Sequence, residues 1–228
     1  MSRKINPISF RLGLSQVWNG LFQLYGKNLC FYSNILHSKL ILENYVKKFF
    51  ITQELFLDSF CWSTNKKQIT LFITYKDTLN YQLLKVGKLK DLIHLLLDLN
   101  FKLYLLKTSN WVNSAVLLTN YTTYNLKRDF NFKKVLKDTF TMVNKHLNIK
   151  KVVYSNKGPV ILNLKGFKFK ISGRFDNIRN QMSKTTNQVE GSLPFSQLNS
   201  YVEYHNSNIY TKSGVNNLQI WLFYTLKE

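Results

Sequence analysis

The sequence predicts an α+β fold in two parts, and three observations carry that prediction. Apolar residues recur at helical spacing between Ile35 and Phe56, through Leu36, Leu40, Tyr45, Phe49 and Phe50. Runs rich in β-branched and aromatic residues, Gln68 to Tyr75 and Phe101 to Leu106, read as strands. In Phe167 to Ile171, Phe167, Phe169 and Ile171 alternate with Lys168 and Lys170, which gives a strand one apolar and one basic face.

Between the first two strands, Gly87 to Lys90 reads as a turn opening a helix. Asp91 sits in its first turn, where the helix dipole favours an anion, and Leu92, Ile93, Leu96 and Leu99 line its apolar side. These pieces make a small α/β unit ending near Lys107. A helix from about Asn113 to His146 opens the second half. On it Lys133, Lys134 and Lys137 share a face, while Val135 and Leu136 point elsewhere. Strands are expected at Val160 to Leu164, Phe167 to Ile171, Tyr201 to Tyr204 and Leu218 to Phe223, as antiparallel sheet. Residues 1 to 20 are basic and turn-rich and read as an extended arm.

The 228 residues suffice for two modest domains, and 45% apolar content with 15% aromatics is ample material for cores. Thirty-two basic against 12 acidic residues give a formal charge of +20. Such self-repulsion destabilises a compact chain and points to a lasting polyanionic partner, nucleic acid or an anionic membrane surface. The longest charge-free stretch, Thr108 to Leu126, is broken by Asn110, Asn113 and Asn120, too polar for a membrane span. Ala115 is the only alanine, and the arginines are confined to Arg3, Arg11, Arg128, Arg174 and Arg179. Protein physics favours both residue types in a helical nucleic-acid binder. Their scarcity beside abundant Lys, Asn, Ile and Phe points to an A/T-biased genome of the kind small organelles carry.

Enzyme signatures are missing. His37, His94, His146 and His205 are scattered without ligand spacing, and no HExxH, GxSxG, Walker or GxGxxG pattern occurs. Cys30 and Cys61 stand alone, which excludes a disulfide framework or a cysteine zinc site and leaves buried thiols as the reading. No catalytic residue, metal or cofactor is expected. Basic residues interleaved with aromatics suit RNA, through phosphate contact and base stacking, with Trp18 as the stacking candidate.

Several motifs in order resemble the small-subunit ribosomal protein S-three family. They are Lys4-Ile5-Asn6-Pro7-Ile8-Ser9-Phe10-Arg11-Leu12-Gly13 with Trp18-Asn19 following, Ile171-Ser172-Gly173-Arg174, Glu190-Gly191-Ser192-Leu193-Pro194-Phe195, and Tyr210-Thr211 through Gly214 to Ile220-Trp221-Leu222. The resemblance implies an arm over 1–20, a KH-like domain of the prokaryotic arrangement over 21–107, and a C-terminal domain over 108–228 in which a long basic helix lies on the sheet. An insertion near 150–166 either meets a lineage-specific partner or fills space left by shortened RNA.

The family's GxxG clamp is Gly87-Lys88-Leu89-Lys90 here, so its second glycine is lost. A side chain there obstructs close backbone approach, leaving Lys85, Lys88 and Lys90 as charge alone. The basic positions that line the family's mRNA entrance correspond to Lys133, Lys134 and Lys137, with Arg128 nearby. The remaining contacts to small-subunit rRNA are expected from Arg3, Lys4, Arg11, Trp18, Arg174, Arg179 and Lys184. The implied partners are rRNA, mRNA and neighbouring proteins of the subunit head, without self-association. The implied place is a mitochondrion, with a plastid as second choice. An intron maturase and a peripheral membrane protein are the rival readings: the first needs an acidic metal cluster, the second lipid binding that survives nuclease.

Overall fold

A computed structural model of the chain describes residues 5–18, 29–64, 68–77, 100–128, 132–155, 158–174 and 182–227. The chain divides into two compact units, one comprising residues 1–18 with 110–228, the other residues 19–109.

In the unit of residues 19–109, helix α1 (Leu29–Thr52) is followed by strands β1 (Leu55–Thr64), β2 (Gln68–Asp77) and β3 (Asn100–Lys107). They form a mixed sheet in which β2 is antiparallel to β1 and parallel to β3. Leu42, Val46 and Phe50, spaced by four, pack with Ile69, Leu71, Ile73 and Phe101 into one core. The expected helical stripe is therefore displaced: Tyr45 and Phe49 lie at the core's margin, while Leu36 and Leu40 are exposed. The helix also stops before Phe56, which lies in β1, a strand missed because its Leu-Phe-Leu run continues the apolar pattern of α1. Trp62 of β1 donates to the Glu43 carboxylate of α1 at 2.8 Å. Cys61 is exposed and not buried as expected. The expected helix at 87–99 and the Gly87–Lys90 turn lie outside the described residues.

The other unit holds helices α2 (Ala115–Arg128) and α3 (Phe132–Asn144) and five strands: β4 (Lys150–Ser155), β5 (Gly158–Gly173), β6 (Lys184–Gly191), β7 (Ser200–Thr211) and β8 (Gly214–Lys227). Two helices thus stand where one was expected. All strand pairs are antiparallel, and β5 organises the sheet. One edge of β5 pairs with β8 along most of its length, and the other pairs first with β4 and then with β6. The two strands expected inside 160–171 are one 16-residue strand, and its hairpin with β4 occupies the segment read as an insertion.

The partner switch on β5 falls at Gly166, opposite Gly191. A Cβ on Gly166 would run into the Ser192 and Glu190 carbonyls. Gly191 has φ +76°, and a Cβ there would strike the Lys165 carbonyl.

Strand alternation sends Phe167, Phe169, Ile171, Leu218, Ile220 and Leu222 into the core with Leu118, Leu136 and Val143 of the helices. Polar ties run through the same layer. Glu203 of β7 receives the Ala115 N–H at 3.1 Å at the start of α2 and pairs with Lys151 of β4 at 2.6 Å. Lys151 also donates to the Asn113 carbonyl. Asn144 at the end of α3 donates to Glu190 at 2.6 Å. Thr119 Oγ1 gives its proton to the Val116 carbonyl (2.8 Å) and so accepts at 2.6 Å from His205 Nδ1–H. Burial holds the His205 imidazole below its ordinary value.

Residues 5–18 are not an extended arm. They fold into a 3₁₀ turn (Ser9–Arg11) and a closed loop, and Arg11 is fully buried. Its Nε donates to the Ser200 carbonyl (2.9 Å) and Nη1 to Pro7 (3.1 Å). Nη2 meets the carbonyls of Pro194 (3.0 Å), Phe195 (3.1 Å) and Gln197 (2.9 Å). Gln16 adds a bond to the Val202 carbonyl at 2.5 Å. The carbonyls of Ser200 and Val202, at the start of β7, are thereby covered by the N-terminal loop.

Two consequences are measurable. Arg11→Met removes every guanidinium donor from this cage. The Ser200 hydroxyl still reaches the Pro194 and Gln197 carbonyls, but those of Pro7 and Phe195 lose their Arg11 bonds, each costing about 1–3 kcal/mol when left unsatisfied. The expected loss is more than about 3 kcal/mol of stability together with early proteolytic release of the N-terminal loop; a melting temperature within 2 °C or so of wild type contradicts it. His205 has a folded pKa below its unfolded one, so the folded state holds fewer protons between the two values. Its contribution is complete above the ordinary imidazole value of 6.5 and falls as pH drops below it. In urea titrations from pH 7.5 to 5, His205→Gln should flatten this acid limb; an unchanged limb contradicts the assignment.

Candidate nucleic-acid interface

The expected mRNA-entry residues lie on the two helices. On α3, Val135, Leu136, Thr139 and Val143 are buried, which turns Lys133, Lys134 and Lys137 to solvent together. Among the described residues no carboxylate pairs with these three lysines; the two ion pairs found are Lys107–Asp77 and Lys151–Glu203. Arg128, the last residue of α2, is exposed, with its guanidinium 5.1 Å from the Tyr124 ring centre.

The expected rRNA contacts are dispersed. Arg11, expected at the rRNA surface, is instead fully buried: its donors are held by protein oxygens and burial lowers its pKa, so in this structure it organises the fold. Trp18 is 61% exposed. Arg174 and Lys184 come to one end of the sheet, since Lys184 pairs with Gly173; Arg174 is half-buried and Lys184 exposed. The Arg174 carbonyl accepts from Ser213 Oγ at 3.0 Å. Arg3, Lys4, Arg179 and the loop residues Lys85, Gly87, Lys88 and Lys90 lie outside the described residues.

Strand register reveals a second surface that residue-by-residue reading missed. On the sheet face away from the helices, three rungs cross β6, β5, β8 and β7. They read Val189–Lys168–Trp221–Tyr204, then Asn187–Lys170–Gln219–Asn206, then Thr185–Ser172–Asn217–Asn208. No carboxylate occurs in them, whereas Glu190 and Glu203 of the same strands project to the helix side. Lys168 Nζ lies 5.4 Å from the ring centres of both Phe195 and Trp221. Asn217 Nδ2 donates to Asn206 Oδ1 at 2.6 Å and to Asn208 Oδ1 at 2.8 Å. The signal for this face was present as period-two polarity in Asn206/Asn208 and Asn217/Gln219, continuing the Lys168/Lys170 alternation.

Among the described residues no three His, Cys, Asp or Glu side chains gather as metal ligands, and no helix is long and apolar enough to cross a membrane.

No protein-family profile matches the chain. Individual proteins do, over nearly its whole length. The small ribosomal subunit protein uS3m of the red alga Chondrus crispus is 35% identical over 231 residues, covering 100% of this chain and 96% of its own. The small ribosomal subunit protein uS3 of Carsonella ruddii is 27% identical, covering 98% and 97%. The small ribosomal subunit protein uS3c of Epifagus virginiana is 24% identical, covering 98% of both chains. Identity at this level sustained from end to end leads to one conclusion: the chain belongs to the uS3 family of small ribosomal subunit proteins.

Proposed function

We propose that this chain serves in the small subunit of a mitochondrial ribosome, where it holds small-subunit rRNA at the head and turns its α3 lysines toward incoming mRNA. The observation that carries the reading is the end-to-end likeness to uS3m from Chondrus crispus. The exposed Lys133, Lys134 and Lys137 support it. Three like charges without a carboxylate partner among the described residues repel one another unless a polyanion neutralises them. Lysine meets phosphate as a point charge and lacks the fork of arginine, so this grip depends on electrostatics and falls with salt. The role is structural, with no bond-making chemistry. Trp18, Arg174 and Lys184, with Arg3, Lys4 and Arg179, supply further rRNA contact.

In this reading the unit of residues 19–109 is a KH-like scaffold with a weakened clamp. Support comes from the order α1–β1–β2 and from the parallel β2–β3 pair, whose connection of more than a dozen residues carries Gly87-Lys88-Leu89-Lys90. Neighbouring head proteins complete the surroundings, and the chain acts as a single copy.

Replacing Lys133, Lys134 and Lys137 together by Glu should leave subunit assembly intact while slowing translation of messages with stable secondary structure. The salt dependence of mRNA binding by the variant subunits should fall by about one unit of slope per lost phosphate contact. Loss of the subunit itself, or equal slowing of structured and unstructured messages, contradicts this assignment.

A further inference from the structure

We infer that the helix-free face of the five-stranded sheet is an RNA-contacting surface, one that meets the shallow minor groove of a folded A-form segment through the side-chain amides of Asn206 and Asn208. The inference rests on the ribosomal reading above and names a surface and a mode of recognition that the reading leaves open.

The amides are oriented from within the sheet. Asn217 Nδ2 occupies the Oδ1 atoms of both Asn206 and Asn208 (2.6 and 2.8 Å), leaving their NH₂ groups to donate to whatever covers the face. Both residues are exposed, and strand register fixes them two residues apart on β7. The chemistry on offer is neutral donors held in place, with Lys170 in the Asn206 rung and Lys168 in the next.

That chemistry selects the occupant. The three rungs contain no carboxylate and only one aliphatic residue, Val189, so they suit a polyanion better than the apolar centre of a protein partner. A five-stranded sheet face is too broad to enter the deep, narrow major groove of A-form RNA. It can lie on the wide, shallow minor groove, where 2′-hydroxyls and base edges accept from amide donors. Phosphates at the groove's margin then fall to the lysines. Recognition through 2′-hydroxyls also makes the surface selective for RNA over DNA.

The test uses the full chain, an RNA duplex of about 16 base pairs, the DNA duplex of the same sequence, and a transcript of the organelle's small-subunit rRNA. Wild type should favour the RNA duplex over the DNA duplex. Asn206→Ala with Asn208→Ala should abolish that preference and weaken transcript binding about tenfold, the effect of losing two hydrogen bonds. Asn206→Asp with Asn208→Asp, nearly unchanged in shape, removes the donors and should do at least as much. Circular dichroism melts keep the comparison to folded proteins. A variant pair that retains the RNA preference overturns the inference. So does one that binds the transcript normally but loses a neighbouring protein from isolated subunits, which would make the face a protein interface. Wild type that travels with small subunits yet favours neither duplex overturns this inference and leaves the ribosomal reading standing. Wild type that neither binds the transcript nor travels with subunits defeats both.

Discussion

One buried guanidinium holds the C-terminal unit together across nearly its whole sequence. Arg11 has no carboxylate partner among the described residues; its charge is spread over the carbonyls of Pro7, Pro194, Phe195, Gln197 and Ser200. A buried charge is tolerable only when its donors are satisfied, and charge-assisted bonds are stronger than neutral ones. Arginine suits the site because its planar fork reaches several acceptors at once, which the point charge of lysine does not. The cage joins the first residues of the chain to the loop before β7, nearly two hundred positions later. With the cage in place, the loop sets Phe195 edge-on against Phe223, 4.8 Å between ring centres. One end of the helix-free sheet face is thereby covered, and the rungs of Lys170 and Asn217 lie beyond it.

The second constraint is alternation. A strand offers every other side chain to each face, and β5 to β8 use this to separate signs. Glu190 and Glu203 turn toward the helices, where they hold Asn144, Lys151 and the first N–H of α2. Lys168, Lys170 and the asparagines turn away from them. In this sheet of a chain of net charge +20, Glu190 and Glu203 therefore serve the architecture while Lys168 and Lys170 lie on the opposite face. On α3 the helical period separates apolar from charged residues, burying Val135 and Leu136 and exposing three lysines together with Asp138.

Much of this was legible in the residues. The strand at Gln68 was set by its β-branched run, and the two faces of Phe167 to Ile171 by simple alternation; both stand in the structure. The lysine face of α3 followed from 3.6-residue spacing. The role of Arg11 was not legible, since a basic, turn-rich N-terminus reads the same whether its arginine meets phosphate or carbonyls. Only contacts nearly two hundred residues apart distinguish the two. Strand β1 was hidden because apolar residues run without a break from α1 into it, and β6 because Lys-Thr-Thr-Asn-Gln lacks an apolar face of its own. The asparagine rungs were invisible until register placed Asn217 opposite Asn208.

The central claim is that this chain lives on small-subunit rRNA. Its most direct test is sedimentation of a lysate of the native organelle at moderately high salt, following the chain across the gradient with and without ribonuclease. The account predicts that it travels with the small-subunit rRNA and is released when that RNA is digested. If it stays at the top of the gradient while intact small subunits sediment below it, the account is wrong.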